Sequence, residues 1–194
     1  MDAKATYNFL FYALSTCAQA SRAFEQAREL ASTSEAAAPG VTRYESRRVF
    51  DALRLGLQAT AGVSRIFWPA ANGKASRIRA AARATILRSA VGLPIDPSAH
   101  VLGSRVVRNF VEHMDEHLDV FLQTTAPDYV FDEFMKLPGT PPGHPRNTLL
   151  SYDGAQDEVL LLGRAYPLHD VRLALGQLSE AIGVAMRPYE QPVA

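Results

Sequence analysis

Tyr7, Leu10, Phe11, Leu14, Cys17, Ala18 and Phe24 follow one another at three- and four-residue steps. Only a helix gathers such positions on one side, so the first segment reads as one amphipathic helix of about 25 residues. The small-residue and proline–glycine stretch ASTSEAAAPG ends it. A stripe that long must be buried against other elements, which makes helix-on-helix packing the governing constraint on the fold.

Three more helical segments follow. The second opens at Thr42-x-x-Glu45, a capping box in which each side chain satisfies an orphan amide of the first turn. Val49, Phe50, Leu53, Leu57 and Phe67 mark its buried side, and Pro69 halts it after Trp68. The third, after the NGK turn, runs from Lys74 to Val91, with Ile78, Ala82 and Ile86 inward. Lys74, Arg77, Arg79, Arg83 and Arg88 surround the remainder. The fourth starts at Asp96-Pro97-Ser98, a capping residue with proline at the first helical position, and continues to Gln123. Short connections between long helices predict a mainly α protein, an up-and-down antiparallel helical bundle over residues 1–125.

Residues 126–194 have another character. PDYVFDEFMKLPGTPPGHPRN is rich in proline and glycine and reads as an irregular connection. TLLSYDGAQDEVLLLGRAY reads as a β-hairpin turning at Asp153-Gly154, and LHDVRLALGQLSEAIGVAM as a last helix halted before Pro188. A hairpin with one helix is too small for a core of its own, so this part is expected to be an appendage packed on the bundle.

Formal net charge is zero, which removes any general pull toward nucleic acid or an anionic membrane and leaves RNA contact to a local patch. One cysteine, Cys17, forms no intramolecular disulfide and suits a reducing cytosol. It sits on an apolar stripe and reads as a core residue. FLFYALSTC looks like a short leader ending at a lipidated cysteine, but Asn8 interrupts it and Thr16 is a poor residue before such a cysteine. The chain is expected to be cytoplasmic, with no membrane partner.

The stretch with most chemistry is RVVRNFVEHMDEHLDV, residues 105–120. On one helix, Val106, Val107, Phe110, Val111, Met114, Leu118 and Phe121 share an arc. Arg105, Arg108, Asn109, Glu112, Glu116 and Asp119 lie opposite, with His113 and His117 at the boundary. Arg108-Asn109-Phe110-Val111-Glu112-His113 resembles the R-x4-6-H signature of the HEPN family, which often has asparagine after the arginine. Spacing alone carries little, since Arg164 and His169 repeat it off any helix.

The resemblance implies a helical bundle with the motif on a late helix, and a metal-independent endoribonuclease acting as a toxin or defence effector. RNA cleavage by the ribose 2′-hydroxyl needs a base, an acid and cationic donors for the phosphate. Histidine titrates near neutrality and arginine presents forked donors, so His113 would move protons, Arg108 hold the phosphate and Asn109 position. In that family two motif helices meet across a two-fold axis, so the resemblance further implies a homodimer with a composite Arg/His site, an RNA substrate and no cofactor. Arg105, Arg77 and Arg83 are candidates for an RNA track. An antitoxin-like protein partner fits the toxin setting. The competing readings are a non-catalytic HEPN-like module binding a nucleotide, RNA or protein, and a plain salt-bridged face with Arg108 on Glu112 or Asp115.

His113-Met114-Asp115-Glu116-His117 also spells HxxEH, which resembles the inverzincin peptidases, with His113 and His117 as zinc ligands and Glu116 as base. The distant carboxylate would have to be Glu190, in a proline-flanked tail, a poor place for a rigid ligand. No metal is expected.

Overall fold

Alanine sets the distance between the two longest helices. Along α1 (Ala3–Glu35), the fully covered positions are Leu10, Ala13, Cys17, Ala20, Phe24, Ala27 and Ala31, at steps alternating three and four. That is a coiled-coil seam with the small member on alternate steps, so a neighbouring backbone can approach closely. The computed structural model describes residues 1–35, 42–70, 75–125, 131–136 and 148–190, with side chains at 34–35, 42–46, 125, 131–132 and 190 outside the description. No helix among these residues is long and apolar enough to cross a membrane.

The second helix, α2 (Thr42–Phe67), meets α1 through glycine. A Cβ at Gly56 would lie 2.5 Å from the Phe24 ring, and one at Gly62 would lie 3.3 Å from Thr16. Position 24 faces 56 while 16 faces 62, so the two helices run antiparallel. Val49, Phe50, Leu53, Leu57 and Phe67 are all buried, as their spacing predicts. The capping box at Thr42 and Glu45 and the NGK turn lie outside the described residues.

The last helix, α6 (Leu168–Glu190), packs along α1 and also touches α3 (Ala75–Val91). One hydrophobic cluster joins Leu10 and Phe24 of α1, Leu53 and Leu57 of α2, and Leu175, Leu178 and Ile182 of α6. Cys17 sits in it beside Ser179, and burial pushes its thiol up to about 12, which leaves no thiolate at neutral pH. The final helix is thus a core wall and not an addition. Pro188 lies inside its last turns, where a proline forfeits a single backbone hydrogen bond. Likewise α1 continues through the small residues to Glu35, since alanine and glutamate are good helix formers.

Ahead of α6 in the chain comes a four-stranded sheet, β1 (Phe131–Lys136), β2 (Thr148–Asp153), β3 (Glu158–Leu161) and β4 (Arg164–Pro167), in that spatial order. The predicted hairpin is β2–β3, antiparallel, with Asp153 opposite Glu158. Two strands extend it. β1, read as irregular connection, pairs parallel to β2 because FDEFMK precedes the proline-rich part. β4 returns through a two-residue turn. Every residue of β2 is buried, with Leu150 and Tyr152 in the same cluster as the helices.

Ion pairs anchor the sheet. Lys136 meets its cross-strand partner Asp153 at 2.7 Å, and Arg54 of α2 meets Glu133. Burial pushes the Asp153 carboxyl up, but Lys136 and the amides of Gln156 and Ala155 outweigh it and hold the group below its ordinary range. Arg172 of α6 donates to Asp157 at 2.9 Å, and the Asp157 carbonyl accepts the Leu168 amide that starts α6.

Two predicted faces change. In α3 the inward residues are Ala84, Leu87 and Arg88, while Ile78 is 63% and Ile86 41% exposed. The predicted fourth helix is four pieces: 3-10 turns at Pro97–Ala99 and Val101–Gly103, then α4 (Arg105–Glu112) and α5 (Met114–Thr125). Asp96 does cap the first turn, accepting the Ser98 amide at 2.9 Å. The helix cannot propagate, because His100 takes extended backbone angles and caps the second turn through Nδ1 to the Leu102 amide.

The glycines of α2 and α6 give a paired test. Gly56→Ala drives a methyl into a buried ring, an overpacking that costs about 1–3 kcal/mol and outweighs alanine's helix advantage. Gly176 in α6 has nothing within 4 Å of its Cβ position, so Gly176→Ala gains about 0.5–1 kcal/mol. Thermal unfolding should therefore show the same substitution lowering Tm in α2 and raising it in α6.

Candidate functional site

Proline 69 ends α2 and leaves its last carbonyls without helical partners, at the negative end of the helix dipole. Two guanidinium groups supply the donors. Arg88 of α3 reaches the Phe67 carbonyl and also donates to Thr85 at 3.2 Å. Arg108 of α4 donates to the Trp68 carbonyl at 3.2 Å and, through Nε, to Glu112 at 3.2 Å. Arg65, one turn from the end of α2, takes the other Glu112 oxygen at 3.0 Å. Burial lowers the Arg88 pKa from its ordinary value, although arginine stays charged at any working pH. Its Nε is buried and has no hydrogen-bond partner.

Trp68 is fixed from the other side. Its indole N–H donates to the Pro94 carbonyl at 3.1 Å, and its ring stacks on His100 with centroids 5.3 Å apart. The packing of the two 3-10 turns is tight: a Cβ at Gly103 would lie 2.3 Å from the Pro97 carbonyl oxygen. Together these elements enclose a recess of about 290 Å³ beside Trp68, lined by Arg88, Arg105, Arg108, Ser64 and Thr85 among others, and by no carboxylate among the described residues. Arg105 is exposed and has no hydrogen bond or ion pair with any described residue.

The motif residues part company. The helix breaks at His113, whose backbone angles of −134° and 38° close α4, so the motif does not lie on one straight rod. His113 is half exposed, lines neither recess, and places Nδ1 3.4 Å from Glu116. Asn109 follows Arg108 about 100° around α4 and does not line the recess beside Trp68. Instead it lines a second recess of about 500 Å³ together with His117, between α4, α5 and the β3–β4 turn. Within one chain Arg108, Asn109 and His113 therefore share no cavity.

Other candidates settle as follows. Arg83 lies over the Phe9 ring at 4.3 Å from its centroid, a cation–π contact that ties α3 to α1. Arg77 is half-buried, with no described ion pair. No cluster of three or more histidine, cysteine, aspartate or glutamate side chains among the described residues, His113 and His117 included, is arranged to hold a metal. The Glu190 side chain is outside the described residues. Arg88, His100 and Trp68 were not singled out as a site by sequence reasoning. The available signal was the Trp68-Pro69 stop, which creates orphan carbonyls that some later donor has to meet.

Comparison of the chain with known protein families, with curated proteins and with solved structures gave no match.

His100 makes the site pH-sensitive. Burial lowers its pKa from the ordinary imidazole value, so the folded chain refuses a proton that the unfolded chain accepts. Its stabilising contribution is complete above the unfolded pKa and is lost as pH falls toward the folded one. Tm should hold level above pH of about 7 and decline toward pH of about 5. His100→Asn keeps an acceptor for the Leu102 amide without titrating, so its Tm should decline less over the same window. Equal slopes would show that His100 is not the sensor.

Proposed function

We propose that this chain is a non-catalytic HEPN-like helical module that binds a phosphate monoester, carried by a nucleotide or by the end of an RNA, in the recess at the end of α2. The supporting observation is the set of three guanidinium groups, Arg88, Arg105 and Arg108, on one recess with no carboxylate among its described lining. Arginine forks match phosphate oxygens. Two of the three have no acidic partner among the described residues, and Arg88 keeps an unused buried donor. A cavity of about 290 Å³ is of a size to take a terminal phosphate with little beside it.

The composite ribonuclease implied by the HEPN resemblance asks for more. That reading assigns proton transfer to His113, which must come within hydrogen-bond reach of the phosphate held at Arg108. His113 of the same chain does not line that recess, so a second copy would have to bring its own histidine there. Arg108 is also committed to Glu112 and to the Trp68 carbonyl. Those bonds suit a structural cap that presents one remaining edge to a ligand.

Trp68 is the single tryptophan and lines the recess, so its fluorescence reports occupancy. Titration with inorganic phosphate, AMP and a 5′-phosphorylated RNA oligomer should give saturable changes, while a 5′-hydroxyl oligomer should give none. Arg105→Gln, at an exposed position, should weaken binding about tenfold without changing Tm. No saturable change, or an unchanged affinity in the variant, would sink the proposal. Labelled RNA incubated in chelator should survive intact with wild type and with His113→Ala; cleavage by wild type alone would return the nuclease.

A further inference from the structure

The second recess lies across α4 from the first and has a different chemistry. Its walls are the rings of Phe110 and Phe121 with Val106, Val120, Leu161 and Leu162. Asn109, His117 and Arg164 are among the residues that line it, beside Thr124. None of the first three side chains makes a hydrogen bond or ion pair with another described residue, and none of the described lining residues is acidic. Apolar walls with a few convergent polar groups are the usual make-up of a small-molecule site.

The turn that forms one wall supplies an independent argument. β3 and β4 are joined by two residues, Leu162 and Gly163, with φ of 49° and 77°. Positive φ at both central residues is the type I′ hairpin turn, which favours asparagine or glycine at the first position. Leucine is disfavoured there, because its Cβ crowds the backbone in the left-handed region. The chain keeps the strain and in return presents a large apolar side chain to the recess. Leu162 also packs against the edge of the core, so the strained turn places one apolar side chain between core and recess.

We infer that this recess is a binding site for a small amphipathic carboxylate. The head group is held by Arg164 with Asn109 and His117, and an apolar body of about eight carbons lies against Leu162, Phe110 and Phe121. A carboxylate accepts from the arginine fork and the amide together, whereas an alcohol of equal length offers one oxygen and no charge. The site is separate from the phosphate recess, and its occupancy does not depend on the reading given for that recess.

Calorimetric titration of the full chain with octanoate and with octanol tests it. Octanoate should bind one per chain, at least about tenfold more tightly than octanol. Arg164→Gln, at an exposed position, should remove that preference. Leu162→Asn supplies the favoured Asn-Gly turn, which offsets part of the packing lost from the core edge, and in the folded variant it should weaken octanoate about tenfold. Absence of octanoate binding, equal affinity for the alcohol, or undiminished octanoate affinity in the folded Leu162→Asn chain would each overturn the inference.

Discussion

The carbonyl oxygens at the end of α2 need hydrogen-bond donors, and meeting that need organises the middle of the molecule. Phe67 and Trp68 cannot pass their carbonyls to a further helical turn, because Pro69 follows. Arg88 and Arg108 meet them, one from α3 and one from α4. Each guanidinium is held by a backbone atom it neutralises in part, so α3 and α4 are drawn to the same end of α2. The recess beside Trp68 is the space left between them. A residue that by motif looks like chemistry, Arg108, is in the first place a helix cap.

α4 then acts as a partition. One side carries Arg105 and Arg108 toward α2 and the 3-10 turns; the other carries Val106, Asn109 and Phe110 toward the sheet. The sheet can serve as the opposite wall because it is locked to the helices. Arg172 joins α6 to Asp157, and the Asp157 carbonyl caps the first turn of α6. The alanine seam of α1 lets α2 and α6 both pack along α1, so helices and sheet share one apolar cluster. Two recesses of unlike character therefore sit on a common rigid frame.

Much of the helical frame was readable in advance. The period of Val49, Phe50, Leu53, Leu57 and Phe67 belongs to a helix buried along one side, and each of these residues is covered. The hairpin read around Asp153-Gly154 forms as β2–β3, with Asp153 the last paired residue and the left-handed residue of the turn at Asp157. The face of α3 was misjudged for a physical reason. Isoleucine at 78 and 86 looks like core, but the buried side of α3 carries Ala84, Leu87 and Arg88, the last bonded to the Phe67 carbonyl. The break at His113 had no proline or glycine to announce it, and β1 was hidden beside a proline-rich run. Of the motif residues, the helical wheel put Arg108 and Asn109 on one face; on α4 they stand about 100° apart, enough to line different recesses.

Local chemistry in the sequence alone determined the helical character, the stop at Pro69, the Asp96 cap and the β2–β3 turn. Each depends on residues a few positions apart, whose preferences act within one turn of chain. Only the tertiary structure decided which arginine caps which carbonyl, which side of α3 is covered, and that Asn109 and His117 share a cavity with Leu162 and Arg164. Those outcomes depend on groups far apart in sequence, brought together when buried polar atoms must find partners and apolar surface must leave water.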